Sequence, residues 1–215
     1  MIKAVIFDMD GVLVDSETFH IKMFRDLIKE HGGEPDEEKL YSIPGASSKK
    51  TWEIMLSMWP EPIEKEELRA LFHRTNPDIH APYGEIVFPG VRETLESLRD
   101  SGLRLALASS SAMEHIQIML EETGLKDMFE AVVSGRDFTE TKPDPQIYLY
   151  TMEQLGLTAD ECVAVEDSTY GIAAGKNAGM RVIARHDERF PFDQSRADYL
   201  IDDIRELPGV VGGIS

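Results

Sequence analysis

A chain of 215 residues with 40 acidic against 22 basic side chains carries a formal charge of -18, which speaks against nucleic acid and anionic membrane surfaces as partners. The length allows one sizeable core plus a smaller insertion, since a domain of ~150 residues buries about 70% of its unfolded surface. No run approaches ~20 consecutive apolar residues, the N-terminus opens into a strand rather than a signal peptide, and the single cysteine, Cys162, lies in an apolar run where it packs. A soluble protein of a reducing, cytoplasmic compartment is expected, and no feature marks an obligatory protein partner.

In chain order, Ala4-Val5-Ile6-Phe7 reads as a buried strand that ends in acid and glycine, Asp8-Met9-Asp10-Gly11. From Ser16 to His80 no convincing strand follows, only helical spacing: Phe19, Met23, Leu27 and His31, ended by Gly32-Gly33, then Trp52, Met55, Leu56 and Trp59. Past Pro82 the pattern alternates. Pro89-Gly90 opens a helix with Val91, Leu95 and Leu98 on one face and Gly102 at its end, and strand 104–108 runs into Ser109-Ser110-Ser111. Ser111 with Glu114 three residues on has capping-box spacing, predicting a helix from Ser111 to Gly124. Strand 131–133, helix 145–155, strand 162–165, a helix from about 169 to 178, and strands 181–184 and 199–201 complete the series. Such alternation predicts an α/β fold, a doubly wound, mostly parallel, Rossmann-like sheet over residues 1–15 and 81–215, with a small α-helical cap inserted at 16–80. Gly171, Gly175 and Gly179 recur every four residues, the spacing of a helix packed closely on a sheet.

Ligands of open α/β sheets bind beyond the carboxyl ends of the strands. Taken alone, Asp8 and Asp10 read equally as a turn whose carboxylates hydrogen-bond nearby N–H groups and as a catalytic pair. Further strand exits add to them: Ser109 to Ser111 after one run, Glu166-Asp167-Ser168 after another, and one lysine set between turn residues in Thr141-Lys142-Pro143-Asp144-Pro145. Together these supply acids, a fixed cation and hydroxyl donors. No G-x-x-x-x-G-K-[ST] loop and no histidine or cysteine cluster of zinc spacing is present, so a nucleotide or zinc is not expected.

Asp8-Met9-Asp10-Gly11-Val12, Ser109, Lys142-Pro143 and Glu166-Asp167, within Val165-Glu166-Asp167-Ser168-Thr169-Tyr170-Gly171-Ile172-Ala173-Ala174, resemble the four ordered motifs of the haloacid dehalogenase superfamily. Within it the resemblance is strongest to the small-capped branch of β-phosphoglucomutases and sugar-phosphate phosphatases. The resemblance implies that Asp8 is the nucleophile, forming an aspartyl phosphate, and Asp10 the general acid and base. Lys142, Ser109 and the Ser110 N–H would hold the phosphoryl oxygens. Asp8 and Asp167 would bind the metal through carboxylate oxygens and Asp10 through its backbone carbonyl, with Glu166 a ligand or a support for one. Phosphoryl-transferring members carry the second aspartate that dehalogenases lack, which favours phosphoryl transfer.

A phosphomonoester dianion repels an attacking carboxylate by about 8 kcal/mol at about 4 Å and an effective dielectric of about 20, while a divalent cation at that distance attracts it by about 16 kcal/mol. Magnesium suits an all-oxygen site held by one or two carboxylates plus substrate phosphate, and manganese is an alternative. β-Phosphoglucomutases carry a Gly-Val-Ser-Arg element whose arginine grips a second phosphate. Here the matching stretch is Gly45-Ala46-Ser47-Ser48-Lys49-Lys50, with Ser48 in the arginine's place and Lys49 following, a point charge where a mutase uses a bidentate fork. His20 matches a histidine of the mutases and is equally an ordinary helix-face histidine. The sequence therefore predicts a magnesium-dependent phosphatase of small phosphorylated sugars. β-Phosphoglucomutase is the alternative, and a sugar-phosphate sensor without turnover the alternative of another class.

Overall fold

The computed structural model describes residues 1–45, 48–76 and 80–214, with the Ser48 side chain outside the description. In chain order it contains β1 (Ala4–Phe7), α1 (Ser16–Glu30), α2 (Glu37–Tyr41), α3 (Ser48–Ser57), α4 (Lys65–Thr75), α5 (Tyr83–Ile86), α6 (Val91–Asp100) and β2 (Arg104–Ser109). Then come α7 (Met113–Glu122), β3 (Ala131–Ser134), α8 (Gln146–Leu155), β4 (Cys162–Glu166), α9 (Thr169–Asn177), β5 (Arg181–Arg185), β6 (Tyr199–Ile201) and α10 (Leu207–Gly212). No helix among the described residues is long and apolar enough to cross a membrane.

The six strands form one sheet of order β3-β2-β1-β4-β5-β6, and every neighbouring pair runs parallel. The sequence reading of an α/β fold with a mostly parallel sheet holds. Strands buried on both faces are near-continuous apolar runs, and residues of both parities in β1, β2 and β4 are buried here. The two faces differ in size. Ala4, Ala106, Ala108, Ala164 and Ala184 share a core cluster with Tyr148, Met152 and Leu155 of α8 and Ile172 and Ala174 of α9. The opposite parity presents larger side chains, among them Phe7, Leu105, Leu107, Val163 and Ile183. The alanine layer lets helices approach closely. A Cβ on Gly175 would stand 2.8 Å from Val182 Cγ2 and 3.4 Å from Ala164 Cβ, so glycine there is a packing residue, as its spacing suggested. Gly179 departs from that expectation. It follows the end of α9 with φ +81°, where glycine closes the helix rather than packing it.

Strand order reverses around β1: the chain moves from β1 to β2 and β3 on one side, then returns to lay β4 on the other. The crevice beyond the carboxyl ends of β1 and β4 is the place such sheets bind ligands. Phe7 pairs with Val165 and Leu107, so Asp8 and Glu166 emerge at one level beside Ala108, with Ser109 one residue further along β2.

The chain divides into two compact units, Met1–Asp15 with Pro82–Asp187 and Phe192–Ser215, and Ser16–Ala81 with Glu188–Pro191. The second unit is helical among its described residues, α1 to α4. Its buried residues include Ile21, Phe24, Leu27, Ile28, Leu40, Trp52, Met55 and Leu68, with Phe72 5.1 Å from the Phe24 ring and 5.8 Å from the Trp52 ring. The face expected for α1 holds at Met23 and Leu27, both buried, and fails at its two ends. Phe19 is half-buried and His31 exposed beyond the helix end, because Ile21, Phe24 and Ile28 form a competing stripe that packing selects. Glu188–Pro191, which the sequence reading left with the sheet, belongs to this unit: Arg189 Nη1 donates to Thr18 Oγ1 at 2.8 Å, and Phe190 stacks on Tyr41 at 6.0 Å.

Candidate active site

β1 ends at Phe7 and the chain turns at once, with the Leu13 N–H donating to the Met9 carbonyl at 2.9 Å and Gly11 at φ +73°. Gly11 is required twice, for that left-handed backbone and for space. A Cβ there would stand 1.9 Å from Asp167 Oδ2. Arg185 steadies the turn from β5: its Nη1 donates to the Gly11 carbonyl at 2.9 Å while its guanidinium lies 3.7 Å from the Phe88 ring centre.

Asp8, Glu166 and Asp167 are all buried, and each offers a carboxylate oxygen within 4.8 Å of the others. Lys142 is buried among them. Its ammonium donates to Asp8 Oδ1 at 2.6 Å, Glu166 Oε1 at 2.6 Å and the Ala108 carbonyl at 3.1 Å, which accounts for three donors. Tyr148, from α8, stands beneath this network with its ring centre 5.1 Å from Lys142 Nζ and its hydroxyl donating to Glu166 Oε1 at 2.6 Å. Glu166 Oε2 accepts from the Asp167 N–H at 3.3 Å and Ser168 Oγ at 3.4 Å. With both oxygens so engaged, Glu166 is bound to the protein more than it is offered to a ligand. Glycine at 171 lets α9 begin against it, since a Cβ there would stand 2.0 Å from Glu166 Oε2.

The charge balance has a consequence. Burial pushes the Asp8 carboxyl up to about 8 against the pull of Lys142, with Glu166 and Asp10 adding repulsion. Lys142 is held well above its ordinary value by Asp8 and Glu166, which outweigh its own burial. One cation among several carboxylates leaves a surplus of negative charge, and the donors are all oxygen. That set fits a hard divalent cation, with Asp8 and Asp167 the oxygens best placed to hold it.

Around this centre the structure gathers most of the residues singled out from sequence. Ser109 is fully buried at the end of β2, its Oγ accepting the Ser111 N–H at 3.0 Å, and Ser110 is exposed beside it. Asp10 accepts a hydrogen bond on Oδ2 from Ser111 Oγ at 2.9 Å. This corrects the expected capping box: α7 begins at Met113, its N-cap is Ala112 with no side-chain bond, and the Ser111 hydroxyl goes to Asp10. His20 and Lys49 belong to the helical unit, His20 exposed on α1 and Lys49 at 3.9 Å from Glu53 Oε1. Ala46, Ser47 and the Ser48 side chain lie outside the described residues. Sequence reasoning missed Tyr148, Arg185 and Gln194. Gln194 Nε2 donates to the Asp167 carbonyl at 2.5 Å and the Arg185 carbonyl at 2.9 Å, tying the ends of β4 and β5. Only Tyr148 had a usable signal, six residues after Lys142 on the helix that Pro145 opens.

Comparison with known proteins agrees with this geometry. The chain is 34% identical over 184 residues to the putative phosphatase YhcW of Bacillus subtilis, covering 85% of this chain and 83% of that protein. It is 33% identical to the phosphorylated carbohydrates phosphatase of Thermotoga maritima, covering 84% and 83%. Among solved structures, a putative β-phosphoglucomutase from Thermotoga maritima superposes with a TM-score of 0.80 at 27% identity, covering 100% of both chains. A family model matches residues 5–185, from within β1 to the end of β5, and by that match the chain belongs to the haloacid dehalogenase-like hydrolases.

Proposed function

We propose that this protein is a magnesium-dependent phosphatase of small phosphorylated carbohydrates that works through a phosphorylated Asp8. The observation that carries the reading is the convergence of Asp8, Lys142, Glu166 and Asp167 within one buried cluster at the sheet's switch point. The Asp8 carboxylate attacks phosphorus in line, and Lys142 keeps positive charge against it and the bound phosphoryl group. Ser109 and the Ser110 N–H orient the phosphoryl oxygens. Asp10 gives a proton to the leaving sugar oxygen, then takes one from the water that releases phosphate. Magnesium, held by Asp8, Asp167 and the Asp10 carbonyl, would offset the charge of the dianion. Glu166 acts mainly by holding Lys142, as its bonds to Lys142 and Tyr148 support.

We assign substrate choice to the helical unit, as a cap, and a reducing, cytoplasmic setting to the chain, which suits the buried free Cys162. The name of the Thermotoga maritima relative, a phosphorylated carbohydrates phosphatase, supports a phosphorylated sugar as substrate. Release of inorganic phosphate from a panel of sugar phosphates, with magnesium and with a chelator, tests the proposal. Chelator-sensitive release from at least one sugar is expected, and no release from any overturns it.

The second reading is a β-phosphoglucomutase, favoured by the full-length likeness to a putative one and by His20. Ser48 in place of an arginine argues against it, because a mutase must grip a bisphosphate at both ends. A time course on β-glucose 1-phosphate with a trace of bisphosphate primer separates the two: free phosphate should exceed glucose 6-phosphate. A sensor without turnover would have no need of a proton donor two residues from a nucleophile.

A further inference from the structure

Ser111 has the sequence of a helix cap and does not act as one. Its hydroxyl crosses from the loop after β2 to the turn after β1 and donates to Asp10 Oδ2 at 2.9 Å. The rest of the residue is held on two more sides. Its N–H donates to Ser109 Oγ at 3.0 Å, and its carbonyl accepts from Ser134 Oγ at 2.7 Å. Ser109 and Ser134 are both fully buried, and they are paired partners at the carboxyl ends of β2 and β3. Two adjacent strand ends thus fix the backbone of Ser111, and what that fixation sets is the position of its hydroxyl.

We propose that Ser111 is a positioning residue that aims the Asp10 carboxyl at the departing oxygen of the substrate; this rests on the reading of Asp10 as proton donor. A carboxylic acid that gives up a proton carries it on one oxygen. A hydroxyl donating to Oδ2 favours the form in which Oδ2 is bare and the proton sits on Oδ1, and it restrains rotation of the carboxyl. In the first half-reaction a bond forms between Asp8 and phosphorus, the bond from phosphorus to the leaving oxygen breaks, and that oxygen takes the Asp10 proton. Asp10 is then a carboxylate, and the bond from Ser111 becomes charge-assisted, so it strengthens as the proton leaves. In the second half water bonds to phosphorus, the bond to Asp8 breaks, and Asp10 recovers a proton from that water.

The test uses leaving groups that differ in basicity but little in shape. Kcat/KM is measured for a series of substituted phenyl phosphates, from p-nitrophenyl to phenyl, since this quantity reports the steps up to departure of the leaving group. For Ser111→Ala the ratio of phenyl to p-nitrophenyl phosphate should fall about tenfold, a fraction of the 10²–10⁴ typical of a positioned acid. Ser111→Thr, which keeps the hydroxyl, should restore it. Ser111→Cys, of similar size and a weak donor, should give an intermediate ratio and covers the case of an alanine variant that does not fold. Asp10→Asn is the control for the parent reading. If its ratio is unchanged, Asp10 is not the proton donor and that reading fails. If Asp10→Asn lowers the ratio while Ser111→Ala and Ser111→Cys leave it at the wild-type value, the Ser111 proposal alone is overturned. A Ser111→Ala variant that loses both substrates equally, without rescue by threonine, overturns it as well.

Discussion

Removing one oxygen atom, by Tyr148→Phe, tests whether the buried network at the β1–β4 crevice is held from beneath. The Tyr148 hydroxyl is protonated throughout the neutral range, because burial and the neighbouring Glu166 charge hold it well above its ordinary value, and it donates to Glu166 Oε1 at 2.6 Å. Phenylalanine keeps the ring, so no large cavity opens, and the loss is the hydrogen bond. A bond to a charged acceptor contributes about 1.5–3 kcal/mol, and Lys142 and the Asp167 N–H remain to hold Glu166, which places the expected loss near the lower end, about 2 kcal/mol. For a chain of this length each kcal/mol moves the midpoint by about 2–4 °C, so unfolding of the metal-free protein should shift down by about 4–8 °C. Because Glu166 in turn holds Lys142, kcat should fall several-fold with KM little changed. Thermal unfolding and steady-state kinetics on the same preparation give both numbers. A midpoint within about 1 °C of the parent, with unaltered kcat, would refute the claim that Tyr148 supports the site.

Other outcomes follow from the same geometry. Alanine has a helix-propensity advantage of about 1 kcal/mol over glycine, yet Gly171→Ala should lower stability and activity together, since its Cβ meets a Glu166 carboxylate that Lys142 and Tyr148 pin in place. Gly175→Ala, against Val182 and Ala164, should cost stability with a much smaller effect on kcat. Lys142→Met removes the cation between Asp8 and Glu166 and should cost about 3–5 kcal/mol at neutral pH. The deficit should widen as pH rises through about 8, where Asp8 of the parent gives up its proton and pairs with Lys142, and an equal deficit at neutral and at alkaline pH would count against the pairing. Asp8 itself sits above its ordinary range, at about 8, so its contribution to the stability of the metal-free protein is full below about pH 4 and is lost as pH rises through about 8. Magnesium competes with that proton, so the thermal shift produced by magnesium should grow between about pH 5 and about pH 8, and a pH-independent shift would contradict the assignment of Asp8 as a ligand.

The strand exits were legible because burial on both faces makes each strand of this parallel sheet an apolar run, and an acid or hydroxyl after such a run has few structural explanations. Asp8, Ser109 and Glu166-Asp167 could be read this way, and Lys142 through its place in their order. Ser111 was misread because a local pattern, serine with glutamate three residues on, competes in sequence with a contact 101 residues away that leaves no local mark. Tyr148 sits in an ordinary amphipathic helix, where an aromatic reads as core, which it is, and its hydroxyl's partner depends on sheet order. The segment 188–191 reads as a loop after β5, and only the fold reveals Arg189 and Phe190 packing on Thr18 and Tyr41. Helices as short as α2 and α5 span too few residues to show a period.

The central claim is that Asp8 becomes phosphorylated during turnover. Rapid quenching of the magnesium-loaded enzyme during turnover of a sugar phosphate, followed by borohydride reduction and peptide mass analysis, reads this directly, because the hydride reduces an acyl phosphate to the alcohol. The account predicts homoserine at position 8 in turning-over enzyme and unaltered aspartate when substrate is omitted. Rapid phosphate release with position 8 never reduced would contradict it.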